Sequence, residues 1–272
     1  MSYLQTRQVR FQYTRAGSGP PVLLIPGSGG WKLTFHAMMR RLARHHTVYA
    51  LDPPGQGATE IANPLFPDGT DAIVDSIVEF LDAVSLRHVA VVGHSWGGGF
   101  ALRLAELHPE RVTRLALIAP GGLDVKDVWE FRLMRLPILG DLAVRLVSKT
   151  SLRHMLRKSF VHRDRLPDDD LVDEAVKAIR TGSRSLAMLR IERAVSWIET
   201  ERDLHLVDVP VLLLWGERDR YFPVSLIDRF TTRLTSVAAH VLPDAGHSLH
   251  DDSPEHTYAL LEPFLRGTAD QR

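Results

Sequence analysis

Short apolar runs of strand length alternate along this sequence with stretches of helical periodicity, and this alternation limits the possible folds more than any other feature. The runs include residues 21–27, 46–52, 88–93 and 209–216, and helical spacing follows several of them, as at residues 70–84. Nearly continuous apolar strands separated by helices are typical of a parallel sheet that is covered on both faces. The sequence therefore predicts an α/β fold with a mostly parallel central sheet.

Two regions depart from this alternation. Residues 7–19 alternate polar and apolar side chains, which predicts an antiparallel hairpin at the sheet edge. Residues 122–205 show no strand pattern and instead contain amphipathic helical pieces, broken at Pro137, Gly140 and Pro167. We interpret 122–205 as a helical cap inserted after the sixth predicted strand, which divides the core into residues 1–121 and 206–272.

Composition excludes several classes of function. The 33 basic and 33 acidic side chains balance, so no nucleic-acid or membrane partner is expected. The chain has no cysteine and no H-E-x-x-H motif, and we expect neither a metal nor another cofactor. The first residues lack the apolar core of a secretion signal. These observations predict a cytoplasmic monomer or homodimer that binds a small molecule.

The segment GHSWG, residues 93–97, follows one apolar run and opens a helical stretch. A turn this tight forces its central serine into a strained conformation, and the residues two before and two after the serine must lack a Cβ. Ser95 is therefore the candidate nucleophile. The backbone N–H of Trp96, directly after it, is a candidate donor to an oxyanion.

A serine nucleophile needs a base, which in turn is oriented by a carboxylate. We select His247, in a loop after the last predicted strand, as the base, and Asp219, after the preceding strand, as the acid. The C-terminal ends of parallel strands share one edge of a sheet, so Ser95, Asp219 and His247 can converge there. Asp124 is the alternative acid.

Other polar residues near these loops receive different interpretations. The competing histidines are His94, which we expect to brace the turn, and His108, His240 and His250. Asp251 and Asp252 are expected to be solvated helix-capping residues.

The glycine-rich segment IPGSGGW, residues 25–31, is expected to supply the second oxyanion donor. Ser28 is the first choice and Gly29 the second, and Gly27, Gly29 and His94 are expected to contact substrate. A nucleotide-binding interpretation fails, because Lys32 occupies the sixth position of a G-x-G-x-x-G motif begun at Gly27 and no G-x-x-x-x-G-K occurs.

Taken together, these motifs resemble the α/β-hydrolase fold superfamily over nearly the whole chain outside the cap. VVGHSWGG is similar to its nucleophile turn, GERD to its acid loop, the Gly-His pair at 246–247 to its base loop, and DPPGQGAT to its D-x-P-G-x-G-x-S segment. The resemblance implies a cofactor-independent serine hydrolase with Ser95, Asp219 and His247 as its catalytic triad. Pro26 is a departure, since the family usually has histidine before Gly27.

Within the superfamily, Ser95 argues against haloalkane dehalogenases and epoxide hydrolases, which carry aspartate at this position. The cap is similar to those of carboxylesterases and of carbon–carbon bond hydrolases that act on ring-cleavage (meta-cleavage) products. His94 departs from the asparagine common in the latter, which favours a carboxylic ester or related acyl substrate. A non-catalytic receptor on the same fold is an alternative of another class.

The cap also contains charged residues that could bind an anionic substrate. Residues 126–165 hold ten Lys/Arg against four Asp/Glu, and we favour a solvated surface over attraction of an anion. Arg190 is a candidate for facing the substrate pocket.

Overall fold

The computed structural model describes residues 2–27, 30–63, 65–126 and 128–267, with only the backbone for residues 31–33 and 182–185. Its strands are β1 (Ser2–Gln5), β2 (Val9–Ala16), β3 (Pro21–Ile25), β4 (Thr47–Leu51), β5 (Glu60–Ile61), β6 (Val89–His94), β7 (Val112–Ile118), β8 (Val211–Gly216) and β9 (Val237–Leu242).

The strands form one sheet in the order β1-β2-β4-β3-β6-β7-β8-β9, with β5 paired to β2. All pairings from β4 to β9 are parallel, whereas β2 pairs antiparallel with β1, β4 and β5. The predicted mostly parallel sheet is confirmed. The hairpin of the N-terminal region begins earlier than predicted, since β1 starts at Ser2 and residues 7–19 contain only β2.

The helices are α1 (Trp31–Leu42), α2 (Thr70–Ala83), α3 (Trp96–Leu107), α4 (Trp129–Arg135), α5 (Leu139–Arg145), α6 (Lys149–Ser159), α7 (Asp169–Arg180), α8 (Gly182–Ala194), α9 (Ile198–Asp203), α10 (Ile227–Thr231), α11 (Leu249–Asp252) and α12 (Pro254–Arg266).

Helices cover both faces of the sheet because successive side chains of a strand point to opposite faces. Leu23 of β3 joins a core that includes side chains of α2 and α3, such as Phe80 and Phe100. The next residue, Leu24, joins a second core with side chains of α1 and α12, such as Phe35. Continuous apolar strands are therefore buried on both sides, as the sequence predicted.

Between β7 and β8, the described residues form helices and no strand. This matches the helical pattern of residues 122–205, and β7 is the sixth strand of the sequence prediction because the two-residue β5 was not predicted. The domain bounds of the cap stay a prediction.

Arg103 of α3 joins three helices through a partly buried ion-pair cluster. Its guanidinium donates to Asp71 of α2 at 2.7 Å, to Asp203 at the end of α9 at 2.9 Å and to Glu106 at 3.1 Å. The hydrogen bond to Asp71 is the largest cause that raises the pKa of Arg103. Asp71, which precedes the helical region, and Asp203, near its end, are thereby both attached to α3, the helix that begins directly after Ser95.

None of the helices in the part of the chain that the structure describes has the length and apolar character needed to cross a membrane.

Candidate active site

Ser95 lies at the junction of β6 and α3 with φ 53° and ψ −125°, a conformation that an L-residue rarely adopts. Its amide donates to Ile118 at 3.0 Å, and its carbonyl accepts from the amides of Gly98 at 2.8 Å and Gly121 at 2.7 Å. Such a conformation costs on the order of 1–3 kcal/mol and persists only where surrounding bonds impose it. The strained serine expected from the sequence is therefore present.

The glycines around this turn are needed because backbones approach each other closely. A Cβ at Gly97 would overlap the carbonyl oxygens of Ile25 and Pro26, and one at Gly93 would lie 2.6 Å from the oxygen of Gly97. A Cβ at Gly27 would lie 2.9 Å from the Cβ of Ser95. The glycine-rich segment after β3 therefore runs directly against the candidate nucleophile.

His247 follows β9, and its Nδ1 lies 2.8 Å from Oδ2 of Asp219. The second oxygen of Asp219 accepts from the amides of Tyr221 at 2.7 Å and Phe222 at 2.9 Å, and its side chain is wholly buried. These bonds fix the carboxylate, which in turn fixes the imidazole ring and leaves Nε2 for another partner. The side chains of Ser95 and His247, both described, are not hydrogen-bonded to each other. The bond between a nucleophile and its base is often long before substrate binds.

Aromatic side chains surround the imidazole and connect it to α4. The ring centroids of Tyr221 and Phe222 lie 5.1 and 5.4 Å from that of His247. Phe131 of α4 lies 6.1 Å from Tyr221 and 6.2 Å from Trp96. The Tyr221 hydroxyl donates to the carbonyl of Met155 in α6, and burial raises the pKa of Tyr221 to about 12. Helices α4 and α6 therefore contact the loop that carries Asp219, the candidate acid.

The predicted oxyanion donors are described only in part. Trp96 opens α3, and its N–H makes no hydrogen bond to a described residue, which leaves it open to a ligand. Ser28 and Gly29 lie outside the described residues. Gly30, the residue after Gly29, lies against the buried side chain of Asp52. A Cβ at Gly30 would lie 2.8 Å from Oδ1 of Asp52. The DPPGQGAT segment thus supports the end of the glycine-rich segment.

Three histidines are in ring contact near the turn. The ring of His94 lies 4.9 Å from His247 and 4.8 Å from His250. Nε2 of His94 donates to the backbone carbonyl of His247 at 3.2 Å, and Nε2 of His250 donates to that of Thr34 at 2.7 Å. Burial lowers the pKa of both His94 and His250, and their mutual repulsion lowers that of His94 further. Both rings are therefore neutral at pH 7, and His94 connects the turn to the loop of the candidate base.

The alternative candidates lie elsewhere or have other partners. Asp124 is exposed, and its amide donates to Glu201. His108 lies beside Asp75 and Glu110, and His240 is exposed on β9.

Arg190, the candidate pocket residue of α8, binds the segment before α2. Its guanidinium donates to Asp68 at 2.6 Å and to the carbonyl of Phe66.

Sequence reasoning missed the role of Asp252, which is buried rather than solvated. Its carboxylate accepts from the amides of Gly246 at 2.7 Å, Val161 at 2.9 Å and His162 at 2.8 Å. Asp252 thus holds the residue before His247 against the chain that follows α6. Two of these partners, Val161 and His162, are 91 and 90 residues away in sequence, so no local pattern could have shown them.

No three His, Cys, Asp or Glu side chains of the described residues are arranged to hold a metal ion.

A family model described as the alpha/beta hydrolase fold matches residues 20–254, and the chain belongs to this family. An uncharacterized protein of Mycobacterium tuberculosis is 28% identical over 97% of this chain and 82% of its own length. The 2-hydroxy-6-oxo-6-phenylhexa-2,4-dienoate hydrolase of Comamonas testosteroni is 25% identical over 93% of this chain and 90% of its own. The crystal structure of a membrane phospholipase A, described as a bacterial virulence factor, has a TM-score of 0.79 at 28% identity, covering 98% of this chain and 86% of that chain.

The buried histidines predict that stability falls in mild acid. Their pKa values lie below the ordinary 6.5 in the folded protein, so the unfolded chain binds more protons below that pH. Stability is complete above about pH 6.5 and decreases as the pH falls, by roughly 1 kcal/mol per pH unit for each histidine. Urea unfolding of a His94→Gln/His250→Gln variant should show a smaller loss between pH 7.5 and 5.5 than the parent. The exposed His240→Gln is the control, and equal losses in all three proteins would contradict neutral buried rings.

Proposed function

We propose that this protein is a serine hydrolase in which Ser95, His247 and Asp219 act as nucleophile, base and acid. The observation that carries the proposal is the bond between Asp219 and His247, on loops after β8 and β9 at the same sheet edge as the strained Ser95. A carboxylate fixed by two backbone amides and paired to a histidine is the arrangement that activates a serine hydroxyl.

The reaction would proceed through an acyl-enzyme. The Oγ of Ser95 attacks the substrate carbonyl while its proton moves to Nε2 of His247, and Asp219 stabilises the imidazolium through Nδ1. The negative charge on the carbonyl oxygen is stabilised by the N–H of Trp96 and, in our proposal, by that of Ser28. His247 then gives the proton to the leaving group, and a water molecule, activated by the same histidine, releases the acid and restores Ser95.

The surroundings of the site support a small, partly apolar acyl substrate. Aromatic rings lie between the turn, α4 and the candidate base, and they belong to Trp96, Phe131, Tyr221 and Phe222. We infer that residues 122–205 cover the site as a cap and select the substrate. The turn at Ser95 and the triad can serve any acyl transfer, so the choice of substrate must come from the pocket between the sheet and the cap. A carboxylic ester is the substrate class that we favour.

Hydrolysis of a carbon–carbon bond is the second candidate, favoured by the similarity to the dienoate hydrolase of Comamonas testosteroni. Such a substrate carries a carboxylate, which calls for a fixed cation in the pocket. The guanidinium of Arg190, the residue proposed for that role, binds Asp68 instead. This contact is the reason that we rank ester cleavage first.

A fluorophosphonate probe should label Ser95 covalently, because only an activated serine in an oxyanion site reacts with it at neutral pH. Ser95→Ala should abolish both labelling and ester hydrolysis. Ser85, which also has a positive φ of 59°, offers a matched control, and Ser85→Ala should label like the parent. Mass spectrometry that places the adduct on another residue would refute the assignment of the nucleophile.

Asp219→Asn should lower kcat by about 10⁴, because the amide no longer stabilises the imidazolium or holds the required tautomer. Asp124→Asn should have a much smaller effect, since Asp124 is exposed and its described contacts are made by its backbone. Steady-state kinetics with a p-nitrophenyl ester measures both. The reverse ranking would transfer the role of the acid to Asp124.

Short or medium p-nitrophenyl esters should be turned over faster than a ring-cleavage dienoate. Arg190→Ala should change ester turnover by less than tenfold, about 1.4 kcal/mol, because its partner is Asp68. A dienoate hydrolysed far faster than any ester, with selective loss in Arg190→Ala, would replace the first candidate with the second. Binding of these compounds without turnover of any of them would favour the receptor.

A further inference from the structure

Helices α4 and α5 present a concentrated apolar surface to solvent. Six of the 13 large hydrophobic side chains that are exposed in the described residues fall between residues 129 and 146. They are Trp129, Leu136, Ile138, Leu139, Leu142 and Leu146, exposed by 65, 48, 78, 50, 51 and 68%. We refer to these six residues as the α4–α5 face. Scattered exposed leucines need no explanation, but such a concentration marks an interaction surface.

Helical geometry makes this surface continuous along each helix. Trp129 and Arg132 are three residues apart on one side of α4, and Leu136 directly follows that helix. Leu139 and Leu142 are three residues apart on one side of α5, and Leu146 directly follows it. The opposite side of α5 is buried through Gly140 and Val144. The exposed residues are therefore one face of an amphipathic structure whose other face already packs on the protein.

The unpaired charges beside the α4–α5 face are positive. Arg132 and Arg145 are exposed there and form no ion pair with a described residue. The two acidic residues of α4 and α5 are already engaged, since Glu130 contacts Lys158 and Asp141 accepts from Arg193 and from the amide of Ile138. The apolar side chains of the α4–α5 face thus lie beside cations that have no ion-pair partner among the residues that the structure describes.

We propose that the α4–α5 face docks on an anionic lipid surface. Leucine, isoleucine and tryptophan beside arginine are the side chains with which amphipathic helices enter the boundary between headgroups and acyl chains. The same surface on a second copy of this chain would offer Arg132 and Arg145 further cations and no unpaired carboxylate of α4 or α5, so the two surfaces lack charge complementarity. The expectation of no membrane partner came from the balanced net charge. A peripheral contact depends on the local surface and requires no positive net charge of the whole chain.

Docking of the α4–α5 face would bring the proposed cap of the active site to the membrane surface. Phe131, on the inner side of α4, contacts Trp96 and Tyr221, whereas Trp129 and Arg132 of the same helix face solvent. The inference does not depend on the proposed chemistry, because binding can be measured without turnover.

Flotation of the full-length protein with vesicles tests the proposal. Binding is expected to mixed phosphatidylcholine–phosphatidylglycerol vesicles, and much more weakly to phosphatidylcholine alone. Leu139→Ser/Leu142→Ser should lower the partition coefficient by at least about tenfold. Arg132→Gln/Arg145→Gln should lower it by roughly fivefold for each arginine and remove the preference for phosphatidylglycerol.

Leu206→Ser is the matched control, since Leu206 is 49% exposed and lies outside the α4–α5 face. It should bind like the parent, and thermal melting should show that all variants are folded. Failure of the parent to bind the mixed vesicles, or equal binding by parent and leucine variant, would overturn the proposal. A dimer in light scattering that Leu139→Ser/Leu142→Ser dissociates would assign the face to a second copy instead.

Discussion

The close contact between the β6–α3 turn and the end of β3 is the constraint on which the rest of the site depends. Because Gly97 has no Cβ, α3 can begin directly against the carbonyls of Ile25 and Pro26. That proximity holds Ser95 in its strained conformation, and the amide of Gly121, in the loop after the neighbouring strand β7, donates to the serine carbonyl. The strain is thus distributed over three adjacent parallel strands, so it is a property of the sheet rather than of the turn alone.

The sequence was sufficient to predict the features that depend on local pattern. Buried parallel strands need continuous apolar residues, and a tight strand-to-helix turn needs glycine at fixed positions, so β3, β6 and the turn at Ser95 could be read directly. The pairing of Asp219 with His247 followed from their positions after successive strands. The two-residue β5 was missed, because its pairing with β2 is set by the long loop that carries it.

What the sequence could not predict was contact at long range. Asp252 and its neighbour Asp251 have the appearance of solvated helix-capping residues, yet Asp252 becomes buried because residues 161 and 162 place their amides on its carboxylate. Arg190 was a candidate for the pocket by its position on a helix, and only the folded path of residues 66–68 gives it Asp68 as a partner. These contacts depend on where irregular segments meet in the folded chain, and no periodicity in the sequence predicts those positions.

The bonds around α6 have a consequence for how the helical region can move or evolve. The carbonyl of Met155 accepts from the Tyr221 hydroxyl, and the carbonyl of Ser159 accepts from the amide of Ser248. The amides of residues 161 and 162 donate to Asp252. The stretch from Met155 to His162 therefore supports the loop of His247, although in chain order it belongs to the helical region between β7 and β8. A chimera that exchanged this whole helical region would lose these bonds, whereas one that exchanged only the helices before α6 would keep them. Diversification of the region is then easiest upstream of α6, where α4 meets Trp96 and Tyr221 through ring contacts of Phe131.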